Sequence, residues 1–284
     1  MPSITPLGCE TARKRSVVVG DLFLSFLEWG TAGRPVLCFL HGGSAHAHWF
    51  DLVAPPFTDR FHVIALDQRG HGESEWAKPP AYATENFAAD LLGFVDALGF
   101  ARVTLIGHSM GGHNAMSFSA WHPDRVRALV IIDSRPMIPT DRLDRLRRRG
   151  ERTLRPYPSR EAAAQSFRLV PRETNADPAL LAHMGAAGVV ERDGAWVYRF
   201  DPASNAERRP VDAWTLLDRI TAPNLIARGE LSPVLPRDMA DKLRSAIRGA
   251  SLVEIPASYH HVTLDNPAGF VLELDRFLAS LRPQ

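Results

Sequence analysis

Gly107-His108-Ser109-Met110-Gly111 sets a serine between two glycines. A serine hydroxyl is a weak nucleophile at neutral pH and does covalent chemistry only beside a base that takes its proton. The Gly-x-Ser-x-Gly spacing is that of a nucleophile elbow, a sharp strand-to-helix turn that exposes the hydroxyl. The flanking sequence supplies both arms of such a turn. Val103-Thr104-Leu105-Ile106 is short, apolar and rich in β-branched residues, and the stretch from Gly112 to Trp121 reads as a helix carrying Ala115, Met116 and Phe118. Gly107 and Gly111 lack a Cβ, which lets strand and helix close tightly around a strained serine.

Acyl chemistry on such a serine needs a base and a pair of aimed N–H donors. The base is an imidazole with a pKa near neutrality, which accepts the hydroxyl proton and returns it to the leaving group. Near the C-terminus, Ser251 to Pro256 reads as a strand, and the loop after it carries His260 and His261 before Pro267 opens an amphipathic helix. Either histidine suits the role; His260, at the strand exit, is favoured, with His261 facing the pocket or packing in the loop. The donors stabilise the negative charge that develops on the carbonyl oxygen. Met110, directly after the serine, offers one N–H. Gly43 offers the other, in the turn His41-Gly42-Gly43 that follows the apolar run from Pro35 to Leu40. His41 reads as a brace for that turn. His41, Gly42, Trp49, His108, His113 and His261 lie near these pieces in sequence and are expected to line the substrate pocket.

The elements that must hold these residues alternate along the chain. Strands are expected near Ser16–Val19, Leu22–Trp29, Val36–Leu40, His62–Leu66, Val103–Gly107, Ala128–Asp133, Asn224–Arg228 and Leu252–Ile255, with helices at Glu85–Leu98, Gly111–Trp121 and Arg237–Ile247 among them. That alternation predicts an α/β fold: a mostly parallel eight-stranded sheet with helices on both faces and an antiparallel leading pair. Active residues then gather at the carboxyl ends of the strands. Residues 135–211 lack a comparable strand series and are rich in Arg, Ala and Pro. They read as a helical cap inserted after strand 6, with residues 1–134 and 212–284 forming the core. Leu143, Leu146, Leu154, Phe167, Leu169, Leu180, Leu181 and Met184 are candidates for the underside of the cap. Seven arginines between Arg142 and Arg155 read as the solvated face of an amphipathic helix.

Taken together, His41-Gly42-Gly43, the segment Asp67-Gln68-Arg69-Gly70-His71-Gly72-Glu73-Ser74, Gly107 to Gly112, His122-Pro123-Asp124-Arg125-Val126 and His260 ahead of Asp265-Asn266-Pro267 resemble the α/β-hydrolase superfamily. The resemblance implies the fold just described and gives Asp67 and Arg69 structural roles. It also implies an acid that orients the histidine. Relatives commonly carry that acid in the loop after the seventh strand, three residues beyond a glycine. Here that position is Ser232, which has no charge to offer. Two carboxylates remain in the order serine, acid, histidine. Asp133 ends strand 6, where some members of the superfamily place their acid, and Glu230 follows Gly229. Asp133 is favoured, because a carboxylate at the end of an interior strand is costly without a partner.

The expected activity is that of a capped serine hydrolase acting on a carboxylic ester or a related thioester or lactone. The catalytic set is Ser109, His260 and Asp133, with Glu230 as the alternative acid, and it calls for no metal and no organic cofactor. A serine nucleophile argues against the aspartate-dependent dehalogenases and epoxide hydrolases of the superfamily. Three alternatives share the frame: a C–C bond hydrolase of diketone-type substrates, a cofactor-free oxygenase and a small-molecule receptor.

Composition narrows the partners. The chain has 284 residues, 45% hydrophobic and 23% charged, with a formal net charge of +1. Bulk charge therefore drives no nucleic-acid or membrane binding, and a small-molecule substrate is the expected partner. No run is long and apolar enough to span a bilayer, and the N-terminus does not read as a signal peptide. Two cysteines, Cys9 in a polar arm and Cys38 in an apolar strand, make no disulfide framework and suit a reducing, cytoplasmic setting. His46 and His48 lack the spacing of a metal site.

Overall fold

The computed structural model describes residues 12–281; Cys9 lies outside them. Eight strands form one sheet: β1 (Arg13–Val19), β2 (Leu22–Gly30), β3 (Val36–Leu40), β4 (His62–Leu66), β5 (Val103–His108), β6 (Val126–Ile132), β7 (Asn224–Gly229) and β8 (Ser251–Ile255). Their order across the sheet is β1-β2-β4-β3-β5-β6-β7-β8. β1 runs antiparallel to β2, and β2 antiparallel to β4. The remaining neighbours pair in parallel. β1 begins three residues earlier than the sequence pattern suggested, because Arg13 to Arg15 continue the ladder against Phe26 to Glu28.

The interior strands read as unbroken apolar runs because both faces are covered. In β3, Val36, Cys38 and Leu40 point into a core shared with Leu91 and Phe94 of α1 (Thr84–Ala97), Ala115 and Phe118 of α2 (Met110–Trp121), and residues of a later helix. The intervening Leu37 and Phe39 point into a second core. A residue period of two thus splits one strand between two layers.

The segment between β6 and β7 holds α3 (Thr140–Gly150), α4 (Arg160–Gln165), α5 (Pro178–Ala187) and α6 (Ala203–Ala206). It also holds something the helical expectation missed, an antiparallel hairpin of Val189–Arg192 with Ala195–Tyr198. Asp193 and Gly194 turn it, with φ of 50° and 76°. Asp-Gly between two apolar runs is a strong hairpin signal for that geometry, so the sequence did carry the information. Leu169, Leu180 and Met184 are buried in the second core beside Trp49 and Phe50. Phe167 and Leu181 pack against that core, while Leu143, Leu146 and Leu154 remain only partly buried.

After β7 come α7 (Arg237–Ala246), whose Ala240 and Leu243 complete the first core, and, beyond β8, α8 (Val262–Asp265) and α9 (Pro267–Ser280). Phe270, Leu274 and Leu278 of α9 fill the second core. The Asn266 side chain caps α9 by accepting from the Gly269 N–H at 2.9 Å, with Pro267 at the first position.

Candidate active site

The parallel strands end side by side. Leu40 pairs with Gly107, His108 with Ile132, Ile132 with Ala227 and Gly229 with Ile255. Ser109 follows directly on β5 and takes φ 53°, ψ −114°, a strained conformation for a residue with a side chain. Its N–H donates to Ile132 O at 3.0 Å, and its carbonyl accepts from the Ser134 hydroxyl at 2.6 Å. The flanking glycines explain how the turn closes. A Cβ on Gly107 would stand 2.3 Å from Gly111 O, and one on Gly111 would stand 2.1 Å from Leu40 O.

Ser109 Oγ lies 3.0 Å from His260 Nε2, and His260 Nδ1 lies 2.7 Å from Asp133 Oδ2. Asp133 sits just past β6 with φ 44° and is fully buried. A carboxylate facing Nδ1 fixes the proton there, leaving the Nε2 lone pair to accept from the serine hydroxyl. The structure thus brings Ser109, His260 and Asp133 into one hydrogen-bonded line. It does not bring Glu230 there: that carboxylate is exposed and accepts the Ala257 N–H at 2.9 Å.

Ser232 proves to be part of this arrangement, a role the sequence did not disclose. Its hydroxyl donates to Asp133 Oδ2 at 2.6 Å, while the Gly229 N–H donates to Oδ1 at 3.2 Å. The same Ser232 oxygen accepts the N–H groups of Val234 and Leu235, which fixes the direction of its own proton. Burial pushes the Asp133 carboxyl up, to about 7, and the Ser232 and Gly229 donors pull against that rise. Burial pushes His260 well below the ordinary imidazole range, and the neighbouring His261 and Arg142 add to the fall. His260 is therefore neutral at pH 7, the form that can accept a proton.

The other residues singled out from the sequence surround this line in different ways. Met110 starts α2, so its N–H has no acceptor within the helix. A Cβ on Gly43 would lie 3.9 Å from Met110 Sδ, and one on Gly42 would lie 3.3 Å from Ser109 Cβ, which sets the His41-Gly42-Gly43 turn against the serine. His41 braces that turn: Nε2 accepts the Gln68 N–H at 3.0 Å and Nδ1 donates to Gly42 O at 2.7 Å. His108 donates from Nε2 to the carbonyl of His260 at 2.8 Å, tying the strand before the serine to the histidine loop. His261 donates to Pro171 O at 3.0 Å, on the segment between β6 and β7, and its ring stands 6.3 Å from Trp49. Trp49 is buried between His46 and Phe167. His113, one turn into α2, is buried and reaches Arg135 O at 3.4 Å. Away from the serine, Asp67 accepts the N–H groups of Ala47 and Glu73, and Arg69 holds Asp90 with two 2.5 Å bonds.

Two features lay outside the sequence reading. Arg142 belongs to the arginine run, but it is half-buried and its charge bears on both Asp133 and His260. Its neighbours Arg145 and Arg147 do pair on the surface, with Asp141 and Asp144. Second, His48, Asp51 and His183 place potential ligand atoms within 4.8 Å of one another. His48 Nδ1 and His183 Nε2 both bond Asp51 Oδ2, at 2.9 and 2.8 Å, so hydrogen bonds join α5 to the turn after β3. The sequence separation of 132 between Asp51 and His183 hid this cluster.

Known proteins agree with this architecture. Residues 35–267 match the alpha/beta hydrolase fold family. A 2-(acetamidomethylene)succinate hydrolase of Mesorhizobium japonicum is 30% identical over 257 residues, covering 89% of this chain and 90% of the relative. An esterase of Mycobacterium tuberculosis is 29% identical over 268 residues, covering 87% of this chain and 84% of the relative. The crystal structure of E-2-(acetamidomethylene)succinate hydrolase superposes with a TM-score of 0.86 at 27% identity, over 95% of this chain and all of that one. Family match, near full-length relatives and strand order coincide, and the chain belongs to the alpha/beta hydrolase family.

Proposed function

We propose that the protein is a serine hydrolase that cleaves a carboxylic ester, or a related thioester or lactone, through an acyl-enzyme. The observation that carries this reading is the 3.0 Å and 2.7 Å line from Ser109 through His260 to Asp133, built on a strained serine. As the Ser109 Oγ–carbonyl bond forms, the hydroxyl proton passes to His260 Nε2. The Met110 and Gly43 N–H groups stabilise the oxyanion. His260 then gives the proton to the leaving oxygen as the acyl–oxygen bond breaks. Water enters, loses a proton to His260 and attacks the acyl carbon, and the proton returns to Ser109 as the acid departs. Asp133 holds the imidazole in the required tautomer and stabilises its cation, with Ser232 and the Gly229 N–H keeping the carboxylate in place.

Residues 135–211 serve as the cap in this reading. Leu180 and Met184 seat it on the core, and the His261 bond to Pro171 O joins it to the catalytic loop. It limits water and shapes the pocket from Trp49, His113 and His261. Among the described residues no helix is long and apolar enough to cross a membrane. Cys38 is a buried free thiol whose pKa burial raises to about 12, which suits a reducing, cytoplasmic setting. One relative is named a 2-(acetamidomethylene)succinate hydrolase and another an esterase.

The test is turnover of 4-nitrophenyl butyrate with stopped-flow detection, comparing the unaltered protein with Ser109→Ala. Acyl chemistry predicts near-complete loss in the variant. Retention of most activity would favour a reaction in which serine is peripheral, such as cofactor-free oxygenation. Stoichiometric binding without turnover in the unaltered protein would favour a receptor.

A further inference from the structure

Arg208 is 4% exposed, and neither its Nη1 nor its Nη2 has a hydrogen-bond partner among the described residues. Among the described residues no carboxylate pairs with it. The Arg199 guanidinium reaches Glu73, Arg69 reaches Asp90 and Arg228 reaches Glu254, yet among the described residues Arg208 has the face of Phe87, 5.5 Å from its central carbon, and no ion pair. A guanidinium remains charged in proteins, and burial lowers this one only to about 10. A cation–π contact returns up to about 2 kcal/mol, whereas desolvating an unpaired ion costs several kcal/mol. The fold therefore holds an uncompensated buried cation.

Its position gives the reason. Arg208 lies on a short strand, Arg208–Arg209, that pairs with Tyr82–Ala83. Phe87, under the guanidinium, shares a small core with Met110, the residue after Ser109. The charge of Arg208 also bears on the imidazoles of His113, one turn into α2, and of His71. The guanidinium thus lies toward the N-terminal end of α2, the end of a helix that itself favours an anion. Arg135, two residues after Asp133, has a buried Nε without a partner among the described residues, and the charge of Arg142 bears on His260. Against these, Asp133 is committed to His260, Ser232 and Gly229.

We propose that Arg208 receives a carboxylate carried by the substrate, in addition to the acyl group that Ser109 attacks. The protein is then selective for anionic acyl compounds. The fork of Nη donors matches the two oxygens of a carboxylate, and binding supplies the counter-charge that the fold withholds. A neutral substrate leaves the cation uncompensated and is disfavoured for that reason.

This inference rests on the serine-hydrolase reading for its kinetic arm only. In that arm, kcat/KM is compared for three esters: mono-4-nitrophenyl succinate, with the charge on the acyl side; 3-carboxyphenyl butyrate, with the charge on the leaving group; and neutral 4-nitrophenyl butyrate. One of the charged esters is expected to be preferred over the neutral one, and in Arg208→Gln that preference falls about 100-fold, as expected when a buried charged partner is removed. A preference for neither, or one unchanged by Arg208→Gln, would overturn the proposal. The second arm needs no turnover. Succinate is expected to raise the melting temperature of the unaltered protein with concentration, but not that of folded Arg208→Gln. No rise, or an equal rise with phosphate or chloride, would overturn the assignment of a carboxylate. If no ester is hydrolysed, the Ser109 reading fails while the succinate titration still decides the role of Arg208.

Discussion

Replacing Asp133 by asparagine keeps the shape of the side chain but removes its charge and one acceptor oxygen. In the structure Oδ2 accepts from both His260 Nδ1 and the Ser232 hydroxyl, and Oδ1 accepts the Gly229 N–H. All three partners donate, so a carboxamide NH2 group must meet one of them donor to donor. If it faces Gly229, a backbone N–H buried at the tip of β7 is left unpaired. If it faces His260, the imidazole turns to the other tautomer, with Nδ1 accepting and Nε2 carrying its proton toward Ser109, where it cannot act as a base. The loss of a triad carboxylate by such a change is about ten-thousand-fold in kcat, equivalent to about 5.5 kcal/mol of transition-state stabilisation. The assay is kcat and KM for 4-nitrophenyl butyrate at pH 8, with circular dichroism to establish folding. Glu230→Gln is the matched control, because its carboxylate is exposed and accepts the Ala257 N–H, away from His260; it is expected to stay within about threefold. A folded Asp133→Asn protein that retains a tenth of the activity, or an equal loss in Glu230→Gln, would refute the assignment of the acid.

Two further outcomes follow from the same geometry. In the proposed mechanism His260 must be neutral and Asp133 charged. Burial holds the His260 pKa well below 6.5 but raises that of Asp133 to about 7, so the first proton taken up by the buried pair is the one that stops the reaction. The acid limb of kcat/KM should therefore have its midpoint near pH 7; a midpoint below about pH 6 would contradict a raised Asp133 carboxyl. Gly111→Ala would place a Cβ 2.1 Å from Leu40 O, a rigid backbone atom. Relieving that overlap should cost about 3 kcal/mol and lower the melting temperature by roughly 8 °C; a scanning-calorimetry shift of under about 2 °C would mean that the elbow is less tightly closed than described.

Much of this molecule was readable because its signals are local. The apolar run before Ser109 and the small residues after it define the elbow within twenty positions, and the eight strands follow from apolar segments bounded by turns. The same local logic would have found the hairpin at Asp193-Gly194, had its turn chemistry been weighed above the helical composition around it. Choosing Asp133 over Glu230 relied on a cost argument about buried charge, and the line from Asp133 to His260 is the kind of partner that argument demanded. Ser232 was harder. Its hydroxyl was judged by the charge it lacks, whereas its part is to donate to a carboxylate 99 residues away. Arg142 and Arg208 were illegible for a related reason. Along the chain they are two among many arginines, and only the packed structure separates the half-buried Arg142 and the buried Arg208 from their solvated neighbours.

Asp133 directly follows β6, just before the chain departs through Ser134 into the segment proposed as the cap. In the proposed mechanism the orienting charge is thereby anchored at the sheet, while the tip of β7 contributes one amide and the loop beyond it a hydroxyl. A designer can exploit this division of labour. Exposed Leu231 and Pro233 of that loop are handles for grafting new contacts, provided the small donor at 232 is retained, whereas Val234 and Leu235 are packed in the core. The stem at 133–135 is the reverse, a point where remodelling the proposed cap would reach directly into the proposed proton transfer.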